Sequence, residues 1–361
     1  MAKLNSSSLE SFLMSLMAIP SVSGCEQEIA ASLTLWLEAR GWHVTRQPVI
    51  GNKAESTSLS PRCNLLATWG RSYDPGSQPR VVLNTHLDTV PPFMPPKRDG
   101  DVIRGRGACD AKGMIAAMCF AADWLVSENS EAAQLAKQRL ALLFVVGEEV
   151  GHQGIKAASS LNLRPKHFIV GEPTDLKWAI GTKGHVWCTI ETKGVSVHSG
   201  YPEDGDSAIE KLADILQELR SFDWPTCDHL GKTTLNIGLI EGGVAPNVVP
   251  NAASASLHFR TVTPSIDVNE QILQIVGSRG QITIRSQADP MTMTAPDGQR
   301  TSVVAFGHDG QFVDTSETSV YLFGPGSILD AHSEHEHVKT ADLHAAKRAY
   351  CDLVKRLLPD S

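Results

Sequence analysis

Residues 81–90 begin as an apolar run and end in polar side chains, in the order Val-Val-Leu-Asn-Thr-His-Leu-Asp-Thr-Val. Their aliphatic, β-branched start predicts a buried strand. Alternate residues of a strand point to the same side, so His86 and Asp88 share a face at its carboxyl end. Open α/β sheets bind ligands at that end. The pair is a candidate metal ligand with an orienting carboxylate, although a His-x-Asp pair alone has little specificity.

Two later apolar runs also end in acidic residues. Residues 140–146 are followed by Glu148 and Glu149, and residues 168–170 are followed by Glu172. Adjacent glutamates at a strand end are often only a solvated turn, but the recurrence after successive strands favours a site. Strands that alternate with helices predict a mostly parallel sheet, with these carboxyl ends along one edge.

A glycine-rich segment at residues 105–113 contains Asp110 and precedes a predicted helix at 114–126. The free N–H groups of such a helix start would favour an anion or a carboxylate. The Gly-x-Gly-x-x-Gly spacing of a dinucleotide-binding turn is absent. The glycines are explained either by an ordinary turn or by a backbone that passes close to a ligand. Asp110 lies in the middle of the segment, where an acidic side chain has no packing role.

The pattern of elements changes near residue 181. Residues 181–287 have the predicted order strand, helix, strand, strand, helix, strand, which is that of a ferredoxin-like unit. The predicted fold class is therefore α/β, with a mostly parallel sheet flanked by helices in one domain, 1–180 and 288–361. A ferredoxin-like α+β domain is inserted at 181–287. A polar loop is predicted at 51–61.

Composition excludes several classes of function. The net charge of −8 over 361 residues argues against nucleic-acid binding and against an anionic membrane surface. No apolar run is long enough to span a bilayer. The apolar residues near the start recur at helical spacing behind a possible cap at Ser8, which predicts an amphipathic helix and no export signal. Seven scattered cysteines without a Cys-x-x-Cys pair favour a reducing cytoplasm.

A Gly-Pro-Gly turn at 324–326 follows the last predicted strand and leads into a histidine-rich tract. The short motifs at these strand ends resemble, in order and spacing, the M20 family of metal-dependent hydrolases over almost the whole chain. These motifs are His86-x-Asp88, Gly107-x-x-Asp110-x-Lys-Gly113, Glu148-Glu149, Gly171-Glu172-Pro173 and Ala331-His332. Within the family, the likeness is closest to acetylornithine deacetylase and succinyl-diaminopimelate desuccinylase.

The resemblance implies a centre of two Zn²⁺ ions, with Co²⁺ as a possible substitute. It implies that Asp110 bridges both ions, that His86 and Glu172 bind one, and that Glu149 and His332 bind the other. Histidines and carboxylates without cysteine suit a catalytic zinc site with an open position.

Further roles follow from the same resemblance. Asp88 is expected to orient His86, and Glu148 is expected to act as general base and then as general acid. A cis peptide bond after Asp110 is also implied. The chain departs from the family at His335, where relatives usually carry Asp or Asn, and His335 could compete for metal.

The resemblance assigns residues 181–287 to dimerisation and to a lid, so a homodimer is expected. His198 is expected to reach the active site of the partner subunit and to stabilise an oxyanion; the alternative is an ordinary surface-loop residue. Asn247 and Arg260 are the expected substrate-binding residues, with Arg260 on a carboxylate. Lys183 stands where relatives often carry Arg and is a further candidate.

The expected activity is the zinc-dependent removal of an acyl group from an N-acyl amino acid. N-acetylornithine, a substrate in arginine biosynthesis, is favoured because a succinyl carboxylate would need a buried cation, for which Lys183 is a poor candidate. The alternatives are N-succinyl-diaminopimelate desuccinylation and a dipeptidase or aminopeptidase of the same family. A non-catalytic metal-binding protein is disfavoured because it would need the ligands but not Glu148.

Overall fold

The computed structural model describes residues 3–49 and 61–360, so residues 51–60 of the predicted polar loop lie outside the described residues. The chain divides into two compact units. The first unit comprises Met1–Ile180, Met293–Ser302 and His308–Ser361, and the second comprises Gly181–Thr292 and Val303–Gly307.

Eight α-helices and eighteen β-strands lie within the described residues. The helices are α1 Leu9–Met17, α2 Gln27–Glu38, α3 Lys112–Ser127, α4 Glu131–Arg139, α5 Gln153–Ala158, α6 Ala208–Ser221, α7 Ser265–Val276 and α8 Thr340–Leu357. The strands are β1 Trp42–Pro48, β2 Cys63–Trp69, β3 Val81–His86, β4 Lys97–Asp99, β5 Val102–Arg104, β6 Leu140–Val145, β7 His167–Val170, β8 Trp178–Thr182, β9 Gly184–Lys193, β10 Thr226–Cys227, β11 Gly231–Lys232, β12 Thr234–Gly242, β13 Ala252–Thr261, β14 Gly280–Ala288, β15 Met291–Thr292, β16 Thr301–Val304, β17 Ser319–Leu322 and β18 His337–Lys339. None of the helices in the described ranges has the length and apolarity needed to cross a membrane.

The main sheet of the first unit is mixed. Its strands lie in the order β1-β2-β6-β3-β7-β17-β8. The four central strands β6, β3, β7 and β17 are parallel to one another, whereas β1, β2 and β8 pair antiparallel. The α/β fold class is confirmed, but the sheet is parallel only in its centre. Strands β1 and β2 are consecutive in the chain and pair antiparallel, from Trp42 opposite Trp69 to Pro48 opposite Cys63.

Packing explains why the parallel strands are central. Every residue of β3 and β6 is buried, as expected for strands covered on both faces. Helix α3 is buried along most of its length and contacts α1, α4 and α8. Burial of each large aliphatic side chain in this core contributes about 1.5–3 kcal/mol, which fixes the sheet as a rigid support for the loops at its edge.

The carboxyl ends of the four parallel strands meet at one edge of the sheet. His86 is the last residue of β3, Glu148 and Glu149 follow β6, and Glu172 follows β7. The loop after β17 carries His332. The topology therefore brings together side chains that are far apart in the sequence.

The second unit has the predicted ferredoxin-like order, β9-α6-β12-β13-α7-β14, with the short hairpin β10–β11 added after α6. Its antiparallel sheet has the strand order β12-β13-β9-β14. Burial alternates along β13, because only one face of the sheet is covered by α6 and α7. The second unit has its own apolar core.

Candidate active site

Asp110 lies between two histidines at the carboxyl edge of the main sheet. Its Oδ1 is 3.0 Å from Nε2 of His86, and its Oδ2 is 3.2 Å from Nε2 of His332. Glu149 Oε2 lies 3.0 Å from Nε2 of His332, and Glu172 Oε1 lies 3.9 Å from Nε2 of His86. The structure thus gathers the five side chains that the sequence analysis named as metal ligands, with Asp110 in the middle.

The residues present fit a pair of divalent ions. The donor set contains two imidazole nitrogens and carboxylate oxygens without a thiolate, which suits a catalytic Zn²⁺ or Co²⁺ site. The ligand atoms of His86, Asp110 and Glu149 lie within 4.8 Å of one another. The two oxygens of Asp110 face different histidines, so Asp110 would be able to act as a ligand together with either of them.

The environment of the cluster shifts the pKa values of its members towards bound protons, except at Asp110. Burial raises the pKa of Glu149, and it raises the pKa of Glu172 well above its ordinary value. Burial also opposes the ionised form of Asp110, but hydrogen bonds from His332 and His86 outweigh it and lower the pKa of Asp110. Contacts with Asp110 and Glu149 raise the pKa of His332 to about 10. Bound cations would replace these protons and balance the negative charge.

Asp88 is buried behind His86 and connects it to the two adjacent glutamates. Its main-chain carbonyl accepts a hydrogen bond from His86 Nδ1 at 2.9 Å, while its carboxylate Oδ1 lies 3.5 Å from the same nitrogen. The carboxylate accepts the N–H groups of Glu148 at 3.0 Å and Glu149 at 3.3 Å, and the hydroxyl of Ser23 at 2.7 Å. A proton on Nδ1 leaves Nε2 of His86 as the metal-facing nitrogen.

Glu148 lies beside the ligand cluster, and its side chain is almost fully buried. Burial raises its pKa well above the ordinary value; His86 opposes this shift, while Glu172 and Asp309 add to it. Its Oε1 is 3.1 Å from Nδ1 of His152. A carboxyl group whose pKa is raised in this way is suited to accept a proton and to return it.

Glu336 holds the loop that carries Asp110. Its Oε1 accepts the N–H groups of Gly107 at 2.9 Å, Cys109 at 3.3 Å and Asp110 at 3.2 Å, and its Oε2 accepts Nη1 of Arg106 at 2.6 Å. Gly107 has φ of 86°, a conformation that favours glycine. The peptide bond after Asp110 is cis, as predicted from the family resemblance.

In the second unit, the segments that contain His198 and Asn247 lie side by side. The main chain of Ser199 donates to the carbonyl of Asn247 at 3.0 Å, and an isolated bridge joins His198 to Val248. Nδ1 of His198 accepts the N–H of Gly200 at 3.1 Å. Both His198 and Asn247 are exposed within this unit, so each side chain is accessible to a ligand.

The two cationic candidates lie on strands of the same unit or next to them. Arg260 is on β13, opposite His185 of β9. The ammonium group of Lys183 donates to the main-chain carbonyl of Lys232, and partial burial lowers the pKa of Lys183. A lysine ammonium also lacks the two parallel donors with which a guanidinium group binds a carboxylate.

Four residues of the site were not singled out from the sequence: the partly buried Ser23 and the buried His152, Asp309 and Glu336. Glu336 lies in the histidine-rich tract, where the neighbouring histidines were the more obvious candidate ligands. His152 lies four residues after Glu148, and that spacing was the one available signal for it. No local pattern indicated Asp309, which reaches the site from a distant segment.

Comparisons with known proteins agree with this geometry. Residues 180–280 match the family described as peptidase dimerisation domain, and residues 64–169 match peptidase family M28. A peptidase M20 domain-containing protein of Schizosaccharomyces pombe is 36% identical over 344 residues, which cover 94% of this chain and 82% of the relative. A probable carboxypeptidase of Emericella nidulans is 36% identical, with 95% of this chain and 88% of the relative covered.

Solved structures share the fold. A tripeptidase of Staphylococcus aureus superposes with a TM-score of 0.79 at 21% identity, covering 98% of this chain and 99% of that one. A dinuclear metal-binding peptidase from the M20 family, from Bacillus subtilis, gives a TM-score of 0.69 at 15% identity, with 97% of each chain covered.

Proposed function

The chain belongs to the M20 peptidase family, and on this premise we propose that it is a metal-dependent peptidase that hydrolyses the amide bond next to a free α-carboxylate. The observation that carries the proposal is the buried Glu148 carboxyl, which lies beside the cluster centred on Asp110 and is separate from it. A metal-binding protein needs the ligands, whereas hydrolysis also needs a group that moves a proton.

His86, Asp110, Glu149, Glu172 and His332 would hold two divalent ions, which we propose to be Zn²⁺ with Co²⁺ as a substitute. When bound, such ions polarise the scissile carbonyl and lower the pKa of water. The dinuclear centre of the Bacillus subtilis relative supports this proposal.

The residues of this chain supply the proton transfers. The carboxylate of Glu148 takes a proton from the attacking water and returns it to the leaving amide nitrogen. Asp88 keeps Nε2 of His86 directed at the cluster. Its carboxylate also accepts the main-chain N–H groups of Glu148 and Glu149, which fixes the position of the proposed base relative to the neighbouring ligand.

Substrate recognition is proposed for the second unit. Arg260 would bind the substrate carboxylate, because a guanidinium group forms two parallel hydrogen bonds with it. His198 would donate to the developing oxyanion in the partner subunit, with Asn247 on the neighbouring segment contacting the substrate amide. Lys183 is retained as the weakest candidate.

Peptides are the first proposed substrates and N-acyl amino acids the second. Both have an amide next to an α-carboxylate, so the same Arg260 contact serves either. The probable-carboxypeptidase name of the Emericella nidulans relative supports peptides. N-acetylornithine deacetylation stays a prediction, as does the N-succinyl-diaminopimelate alternative.

A substrate panel tests the proposal. The protein would be assayed with Zn²⁺, with Co²⁺ and after chelation, on amino-blocked dipeptides with a free carboxylate and on the same dipeptides as carboxamides. N-acetylornithine and N-succinyl-diaminopimelate complete the panel. We expect metal-dependent hydrolysis of the free-carboxylate dipeptides and a large loss for the carboxamides. Cleavage restricted to peptides with a free amino group would instead indicate an aminopeptidase.

The matched control for this panel is Glu148→Gln. We expect the variant to keep two ions per chain and to lose about 10²–10⁴-fold in kcat, because the amide cannot accept the proton. Metal content by mass spectrometry and steady-state kinetics measure the two quantities. Loss of an ion in this variant would show that Glu148 is a ligand and that its role has been exchanged with that of Glu149.

A further inference from the structure

Glu148 also belongs to a second group of buried side chains in the first unit, with His152 and Asp309. Nδ1 of His152 lies 3.1 Å from Oε1 of Glu148 and 3.3 Å from Oδ1 of Asp309. Nδ1 of His152 is hydrogen-bonded to Oδ1 of Asp309, and the same nitrogen is in close polar contact with Oε1 of Glu148. The imidazole ring packs on Phe312 with 4.6 Å between ring centroids, which restricts its rotation.

The backbone of His152 is unfavourable for a side chain of this size. Its φ of 57° and ψ of 40° lie in the left-handed region, directly before α5. Glycine or asparagine adopts this region at lower cost. The N–H groups of Gly151 and His152 both donate to the carbonyl of Glu148, at 3.2 and 3.0 Å, so a tight turn ties the imidazole to the residue that it contacts. Such strain persists where the surrounding structure requires it, often at functional sites.

Asp309 is equally well fixed. It begins a short 3₁₀ helix, Asp309–Phe312, and is almost fully buried. His308 caps this helix: its Nδ1 accepts the N–H of Gly310 at 3.1 Å, and its own N–H donates to Gln311 at 3.2 Å. The carboxylate of Asp309 therefore approaches His152 from a rigid turn, on a segment far from Glu148 in the sequence.

We propose that His152, held by Asp309, is a positioning residue for Glu148. The imidazole of His152, which is hydrogen-bonded to Asp309, contacts Oε1 of Glu148 and restricts its rotation, so that Oε2 exchanges the proton with water and with the leaving nitrogen. The proposal deepens the proposed function and rests on it. A carboxylate that could rotate freely would lose part of its time in orientations without proton transfer.

The test compares two substitutions at one backbone position. His152→Gly relieves the left-handed strain and removes the side chain that contacts Oε1, whereas His152→Asn also suits that conformation but keeps a polar side chain near Oε1. We expect His152→Gly to lower kcat about 10–100-fold, as loss of an orienting partner does, with KM almost unchanged. We expect His152→Asn to recover most of kcat.

Three further measurements separate positioning from a structural role. Metal content and thermal unfolding should be similar in the Gly and Asn variants, so that kcat alone distinguishes them. Asp309→Asn should lower kcat, and the double variant with His152→Gly should lose little more than either single variant, because the two residues act as a unit. A third ion per chain that disappears in His152→Gly would overturn the proposal and make the group a metal site.

Failure of this inference is distinguishable from failure of the proposed function. If the wild-type protein hydrolyses the panel and His152→Gly keeps the same kcat, the inference fails alone. Equal losses in the Gly and Asn variants, accompanied by lower unfolding temperatures, would also overturn it. A wild-type protein that hydrolyses no member of the panel overturns the proposed function and this inference together.

Discussion

At the scale of single residues, the buried Glu336 holds the main chain around the candidate metal ligand Asp110 without being a candidate ligand itself. It accepts three main-chain N–H groups of the segment that leads to Asp110 and pairs with the buried Arg106. A carboxylate with this many donors lowers the conformational freedom of the loop. Its removal would leave the guanidinium of Arg106 buried without its charge partner.

We therefore predict that Glu336→Ala destabilises the metal-free protein by about 3–5 kcal/mol, the cost of breaking a buried ion pair by removing one partner. Urea unfolding measures the change. Glu334→Ala is the matched control, because the Glu334 side chain is 83% exposed, and it should change the free energy of unfolding by less than about 0.5 kcal/mol. Equal changes in both variants would contradict the role of Glu336.

The residues that could be predicted are those next to strand ends. His86 ends a buried strand, and Glu149 and Glu172 come a few residues after buried strands, so the strand pattern and the family resemblance both indicate them. The supporting residues have partners far away in the sequence; Glu336 contacts Gly107 across 229 positions. No periodicity in one sequence encodes such a contact, and only the fold brings the groups together.

At the scale of elements, the short 3₁₀ helix Asp309–Phe312 depends on a histidine cap. His308 is fully buried, and burial together with the nearby His152 lowers its pKa to about 3. The unfolded chain takes up a proton at this residue near pH 6.5, whereas the folded protein does not until about pH 3. The stabilisation is therefore complete above pH 6.5 and is lost as the pH falls towards 3.

We predict that His308→Asn weakens this acid sensitivity. Asparagine is a good cap, so the helix should remain. As the pH is lowered from 6.5 to 4, the free energy of unfolding should fall more steeply for the wild-type protein than for His308→Asn. The two slopes should differ by up to about 1.4 kcal/mol per pH unit, which corresponds to one proton. Urea unfolding at a series of pH values measures both slopes. His229→Asn, at an exposed histidine, is the control, and a slope unchanged in His308→Asn would contradict the prediction.

The elements that could not be predicted are short or weakly amphipathic. Helix α4 buries only Ala133 and Ala136, so its sequence lacks a clear apolar stripe. Strands β4, β5 and β18 have three residues each, too few for an alternating pattern to be recognised. Strand β8 joins the main sheet by pairing with β17, which comes much later in the chain. Helix α1 was predicted because its buried residues recur at helical spacing, and α3 was predicted as a long apolar segment after the glycine-rich turn.

At the scale of the whole molecule, the second unit carries features expected of a subunit interface. Its sequence matches the peptidase dimerisation domain. Strand β12 is at one end of its sheet, and Leu239 and Ile240 on this strand are exposed. An edge strand with exposed apolar residues is suited to pair with another chain. We therefore propose a homodimer that forms through this unit.

A homodimer allows a test of the role of His198 in the partner subunit. His198→Ala and Glu148→Gln chains should each be nearly inactive alone. In a mixed dimer, the site with an intact Glu148 would receive an intact His198 from the other chain. Random exchange of equal amounts makes about half of the dimers mixed, each with one working site of two, so about a quarter of the wild-type activity should return. Mass spectrometry of the intact dimers measures the exchange, and refolding each variant alone is the control.

Full exchange without any recovery would show that His198 does not act across the interface, because every other group needed at that site is present.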